Sequence, residues 1–254
     1  MKLRLMTYNI WGGKSFEEHL NGVPEGDCRR DCAPVAEVIK KTGADIVALN
    51  EVFNCEKFGN QAEQIAKLVG YEYFWFDPAF MNPALSGFYG NALLSKYPVT
   101  KVNQKKIEAE TGVRLAESRS VLCATLDCNG EALEVIVSHF GLVEAEKERA
   151  VDAVLEFAKD SAHKCVFMGD MNSTRETIHI QRLREVFRAS NDNEEEIMTW
   201  PVEPIPPQFY TYNTPLYGRQ IDFIFLGEGI SVKQTETVYS LASDHKGLWA
   251  DVEI

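Results

Sequence analysis

Asp170 and Asn172 stand two residues apart in VFMGDMNST, where an apolar run turns abruptly polar. Asp and Asn at such a boundary ordinarily start a turn or cap a helix, because their side chains bond nearby backbone amides. Groups of the same chemical kind recur at comparable boundaries. KLRLMTYNI ends near Asn9, ADIVALNE ends at Glu51, and ALEVIVSHF carries His139 near its end. Asp222 opens IDFIF, and Asp244 and His245 immediately precede KGLWADVEI. Carboxylates, amides and imidazoles thus mark the ends of six apolar runs, and no nucleophilic Ser or Cys motif accompanies them. That combination suits metal-assisted hydrolysis.

For this chemistry the apolar runs must be strands that bring their ends together. KLRLMTYNI, ADIVALNE, YEYFWF, GFYGNALLS, SVLCATLD, ALEVIVSHF, KCVFMGD, QIDFIFLG and KGLWADVEI read as strands. CAPVAEVIKKTG, GNQAEQIAKLVG, EAEKERAVDAVLEFAKD and TIHIQRLREVF read as helices. The first of these helices places Val35, Val38 and Ile39 on one face, and the third turns Ala150, Val151, Val154 and Leu155 inward. If the strands opening at Asp222 and after His245 run antiparallel to their neighbours, their starts lie beside the other strands' ends. All the groups then share one rim, where ligand sites of layered α/β folds lie. Strands and helices are mixed, with consecutive strands mid-chain, which predicts an α/β (α+β) layered sandwich. Residues 190–218 are the exception: long, rich in proline and aromatics, and strand-poor, as functional loops are.

The bulk numbers exclude several classes. The chain has 254 residues, of which 45% are hydrophobic, enough for one large domain. No run approaches the roughly 18 apolar residues of a membrane span, so no integral membrane contact is expected. MKLRLMTYNI lacks a signal-peptide pattern, which points to a cytoplasmic protein. The six cysteines are read as thiols, because a domain of this size needs no disulfide staples. Cys28 and Cys32 lack a second Cys/His pair for a zinc site. WGGK lacks the spacing of a Walker phosphate loop, so Gly12 and Gly13 are read as a tight turn beside Asn9. A net charge of −12 makes long duplex nucleic acid an unfavourable partner.

The ordered series TYNI, ALNEV, GNALLSKYP, ESRSVL, SHFGL, GDMN, QIDFIF and SDHKGL resembles the endonuclease/exonuclease/phosphatase superfamily of DNase I-like phosphohydrolases, from Tyr8 to His245. The resemblance implies a single catalytic domain over 1–254, built as a four-layer sandwich of two mainly antiparallel β-sheets flanked by helices. It implies a Mg²⁺ cofactor, with Mn²⁺ able to replace it through the same oxygen ligands. Glu51 is then the principal metal ligand, with Asn9 and Asp244 completing the shell. Asp170 orients or deprotonates the attacking water, and Asn172 donates to a non-bridging oxygen. Asp222 orients His245, and His139 contacts phosphate or the leaving oxygen. Arg119 either contacts the substrate phosphate or pairs with Glu117. Trp200, Phe209, Tyr210, Tyr212 and Tyr217 either wall the substrate, with Trp200 and Tyr212 foremost, or simply pack the loop.

The sequence departs from the family pattern at Asn50, where glutamine is usual, and at Ser173-Thr174-Arg175, where inositol phosphatases carry Tyr or Phe and then Arg. The expected activity is hydrolysis of a small or lipid-linked phosphodiester or phosphomonoester. A DNA or RNA nuclease is the alternative. A catalytically inactive binding module is disfavoured, because each main catalytic position holds a competent residue.

Overall fold

Alternation along the strands builds the layers. In β1 (Lys2–Asn9), Leu3 and Leu5 face one way while Met6 and Tyr8 face the other. In β2 (Ile46–Cys55), Ile46 and Ala48 join the first set, and Val47 and Leu49 the second. The second set packs on α2 (Cys32–Thr42) and α3 (Gln61–Val69), through Val35, Val38, Ile39 and Ile65. The first set meets the inner face of a second sheet, including Val135 and Val137 of β8 (Glu131–His139) and Val166 and Met168 of β9 (Lys164–Asp170). The outer face of that sheet packs Ile136, Phe167 and Phe225 on α4 (Glu144–Asp160) and α5 (Ile178–Arg184). Four layers result, helix, sheet, sheet and helix, with a shared core between the sheets. The computed structural model describes residues 1–192, 195–205 and 218–254.

The helices stop where their sequence says. Asp31 caps α2 by accepting the Ala33 N–H, and Gly43 ends it in the left-handed conformation at φ +66°. On α4, Ala150, Val151 and Val154 are buried and Leu155 partly so, as the sequence pattern predicts.

The first sheet adds β4 (Tyr73–Asn82), β5 (Gly87–Ser95), β12 (Ser231–Val238) and β13 (Gly247–Glu253), in the order β12-β13-β1-β2-β5-β4, with short β3 (Gly59–Asn60) on β2. The second adds β6 (Val99–Ile107), β7 (Arg119–Cys128), β10 (Arg188–Ala189) and β11 (Asp222–Leu226), in the order β10-β11-β9-β8-β7-β6. A short helix α1 (Phe16–Leu20) follows β1. Each sheet is antiparallel except at one central pair: β1 runs parallel to β2, and β8 to β9. The registers put Asn9 beside Asn50 and His139 beside Asp170. β11 is antiparallel to β9 with Asp222 opposite Asp170, and β13 is antiparallel to β1. The chemistry-bearing ends of both sheets therefore open on one rim.

Candidate active site

Each site residue owes its direction to a local device. β2 bulges between Leu49 and Val52, and Glu51 sits there at φ +59°. A bulge re-aims side chains. Here Asn50 turns inward between the sheets while Glu51 turns into the cleft. Asn50 Oδ1 accepts the Asp170 N–H at 2.9 Å, and its Nδ2 donates to Asn91 Oδ1 at 2.8 Å and to the Ser138 carbonyl at 3.2 Å. In β9, Gly169 lies at φ +153°, and a Cβ there would come within 1.8 Å of the Ser138 carbonyl oxygen. The glycine lets β9 approach β8 closely enough to set Asp170 beside His139. Gly12 (φ +64°) and Gly13 (φ +70°) form the tight turn beside Asn9, with Trp11 buried against Phe16 and His19.

Asp170 is the centre of the cleft. Its Oδ2 accepts Asn9 Nδ2 at 3.0 Å and lies 3.5 Å from His139 Nε2 and 3.7 Å from His245 Nε2. Its Oδ1 accepts the Asn172 N–H at 2.9 Å. Burial and then the charge of Asp222 push the Asp170 carboxyl up to about 7. His245 donates from Nδ1 to Asp222 Oδ2 at 2.9 Å. Burial alone would lower its pKa, but Asp222 and Asp244 outweigh it and raise His245 to about 10. That imidazole is a cation at neutral pH. His139 is the opposite case. Burial first, then Arg119 and His245, hold it well below the usual histidine value. Arg119 Nη1 donates to His139 Nδ1 at 3.1 Å, which leaves the proton of the neutral ring on Nε2, 3.5 Å from Asp170 Oδ2. Arg119 also pairs with Glu117 at 2.7 Å, so the ion pair foreseen for it exists within reach of the cleft.

Glu51 and Asp244 form the acidic wall. Asn9 Nδ2 donates to Glu51 Oε1 at 3.1 Å, while Asn9 Oδ1 accepts the Trp11 N–H at 3.0 Å. One amide thus fastens Glu51 and Asp170 together. Trp200 Nε1 donates to Asp244 Oδ2 at 2.9 Å. Burial and then the charge of Asp244 raise the Glu51 pKa. A half-buried Glu51 whose ionisation the neighbouring Asp244 charge opposes fits a hard divalent cation, which would cancel that repulsion. Asp170, Asp222 and His245 also offer ligand atoms within 4.8 Å of one another. An imidazole held protonated by Asp222 is a poor metal ligand.

Among the described residues, the cleft of about 700 Å³ is lined by Glu51, Arg119, His139, Asp170, Asn172, Trp200, Asp244 and His245. Asn9 and Asp222 stand directly behind them. The sequence profile of the Endonuclease/Exonuclease/phosphatase family matches residues 6–245. The chain belongs to this family. Members are typically hydrolytic phosphoester enzymes and typically depend on a divalent metal. An uncharacterised Escherichia coli K12 protein, YbhP, is 27% identical over 184 residues, 68% of each chain. A family structure from Bacteroides vulgatus superposes with a TM-score of 0.77 at 19% identity, covering 100% of this chain and 99% of that one. A Bacteroides thetaiotaomicron mannosyl-6-phosphatase superposes with a TM-score of 0.74 at 13% identity, covering 99% and 100%. These structures share the fold.

Some cleft residues carried no signal in the sequence. Thr199 is buried, and its Oγ1 accepts the N–H groups of Ile221 and Asp222 at 3.1 and 3.2 Å. Its backbone carbonyl accepts the Lys246 N–H, while the Val202 N–H reaches the Asp244 carbonyl. Residues 199–202 therefore strap the start of β11 to the Asp244-His245 turn. His19, outside every family motif, lines the same cleft. Phe209, Tyr210, Tyr212 and Tyr217, named as a substrate wall, lie outside the described residues.

Proposed function

We propose that the protein is a single-domain, divalent-metal-dependent hydrolase of phosphate esters. Its substrate would be a small or lipid-linked phosphomonoester or phosphodiester. The observation that supports this most is the Asp170 carboxylate set between neutral His139 and cationic His245, with Glu51 and Asp244 beside it.

Glu51 and Asp244 would hold Mg²⁺, or Mn²⁺ in its place, with Asn9 at their side. The bound cation supplies charge neutralisation at a phosphate oxygen. Asp170, poised near neutrality, accepts a proton from the attacking water. Asn9 and the Asn172 N–H keep its two oxygens oriented. Asn172 Nδ2, already donating to the Phe140 carbonyl at 2.9 Å, has a second hydrogen for a phosphate oxygen. His139 Nε2–H and His245 Nε2–H present two more donors on the same side as Asp170, where negative charge grows in the transition state. Asp222 keeps His245 protonated and in register.

A panel of phosphate esters with Mg²⁺, spanning sugar phosphates, nucleotides, phospholipid head groups and nucleic acids, tests the reading. Glu51→Gln should abolish metal-dependent turnover with an unchanged thermal melt of the metal-free protein. Turnover that survives both this change and EDTA would sink the metal mechanism.

A further inference from the structure

Leu115 and Leu142 are 51% and 48% exposed, and both line the cleft that holds Asp170. One exposed leucine needs no explanation. Two on the wall of a polar cleft do, and Ile205 and Ile221 join them there. Leu115 also sits at φ +68°, a conformation disfavoured for any residue with a Cβ. Strain of this kind points to function when the surroundings enforce it.

The loop that carries Leu115 is held at both ends. The segment 108–118 between β6 and β7 is pinned to α4: Glu146 Oε1 accepts the Glu110 N–H at 3.0 Å, and Arg149 donates to the Glu108 carbonyl at 2.9 Å and pairs with Glu110. Ala109 N–H closes the segment on Ser118 Oγ at 3.2 Å. The same fully buried Glu146 abuts Gly141, where an added Cβ would lie 2.3 Å from Oε2. One side chain thus touches both loops, and each loop carries its leucine on the cleft wall.

We propose that Leu115 and Leu142 form an apolar seat for the alkyl part of an amphiphilic phosphate ester whose phosphate meets Asp170 and the two histidines. This rests on the phosphoesterase reading above. A nucleobase would need a free flat face on which to stack. Among the described aromatics of the cleft, the Trp11 ring carries Lys14 over one face and Phe16 and His19 at its edges. Trp200 is tied to Asp244 and leans on His245. Branched aliphatic side chains offer apolar area without such a face, which suits an alkyl chain.

The test uses methyl, butyl and octyl para-nitrophenyl phosphodiesters with Mg²⁺. It also uses equilibrium binding of methyl-, butyl- and octylphosphonate to Asp170→Asn protein. Burying a methylene is worth about 0.8 kcal/mol, which is roughly fourfold. Both kcat/KM and phosphonate affinity should therefore climb about two- to fourfold per methylene over the first few. In the Leu115→Ser/Leu142→Ser variant the octyl-to-methyl ratio should fall toward one, with a thermal melt showing that the variant is folded. A flat series in the parent protein, or an undiminished slope in the variant, overturns the seat while turnover still supports the hydrolase. Octylphosphonate binding more tightly than methylphosphonate with none of these diesters turned over keeps the seat and removes the phosphodiesterase branch of the hydrolase reading. Sedimentation with phosphatidylcholine vesicles containing phosphatidic acid separates the sources: co-sedimentation assigns the chain to a bilayer lipid, and octyl binding without it assigns a free amphiphile.

Discussion

Two histidines flank one aspartate in this cleft, and their partners give them opposite charge states. Burial and then Arg119 on Nδ1 keep His139 neutral, whereas Asp222 on Nδ1 keeps His245 protonated against its burial. Asp170 must be ionised to take a proton, and its carboxyl titrates near 7. Turnover should therefore rise with pH through about 7 or below, since a bound cation favours the carboxylate, and fall again as His245 loses its proton near 10. Asp222→Asn removes the main charge that raises the His245 pKa. Its alkaline limb should move down from about 10 toward the ordinary histidine value, while the acid limb moves little or downward. A pH profile of kcat with an unmoved alkaline limb would refute the pairing as the source of the charge. Asp170→Asn removes the base but keeps a side chain of the same shape. It should lower kcat by roughly 10²–10⁴ with little change in KM. Steady-state kinetics giving equal kcat in variant and parent would reject that role.

The elements explain why those residues meet. A parallel pair at the centre of each sheet points β1, β2, β8 and β9 the same way, and antiparallel β11 and β13 bring Asp222 and His245 back to them. Between the sheets, a polar chain runs from Asn50 through Asn91 and Ser120 to Asp77, with Ser120 Oγ donating to Asp77 Oδ2 at 2.6 Å and Gln104 to its Oδ1 at 2.7 Å. Burial raises the Asp77 pKa, and these three amide and hydroxyl donors offset it. Asn50→Ala would orphan the Asp170 N–H and the Asn91 carbonyl oxygen, both buried. It should destabilise the fold by roughly 1–3 kcal/mol in chemical denaturation, with a loss of kcat because Asp170 loses its anchor. An unchanged midpoint would show that the chain is not a structural tie. This network was not legible in the sequence, since it joins residues from different sheets by contacts that spacing does not encode. Asn50 was visible only as a departure from the family's glutamine. The buried strands were legible, because alternation or continuous apolar runs mark them, and so were α2 to α5, with α5 ending earlier than TIHIQRLREVF suggested, while the short α1 went unread. β6 and β12 went unread. Both are edge or near-edge strands rich in Lys, Gln, Thr and Glu, the composition that keeps an open edge from pairing with another chain. The candidate residues stood out only as a set: one Asp or Asn at a strand end is ordinarily a turn residue, but six such ends with carboxylates, amides and imidazoles form a pattern, whereas Thr199 and His19 look ordinary until the chain folds.

At the scale of the whole molecule, charge separates a small ester from a polymer. The chain carries 38 acidic against 26 basic residues. Among the described residues no helix is long and apolar enough to cross a membrane. The cleft repeats the acidic balance: Glu25, Glu51, Asp170 and Asp244 line it, with Arg119 and Arg219 as its arginines. Arg119 is already committed to Glu117 and His139 and is only 6% exposed. Affinity for a phosphate backbone grows with the number of cationic contacts and the counterions they release. One bound cation and one or two arginines supply few of them, and the acidic surface around opposes the rest. Duplex DNA should accordingly bind weakly and without sequence preference, with Kd near or above about 10⁻⁴ M at physiological salt. A single phosphate ester escapes this opposition, because it needs only the metal-centred donors and the apolar wall. Fluorescence anisotropy of a labelled duplex with Asp170→Asn protein and Mg²⁺, titrated with salt, decides the matter. Micromolar binding with a steep salt slope would reveal a basic track outside the cleft, and the substrate reading would shift from a small ester to a nucleic acid.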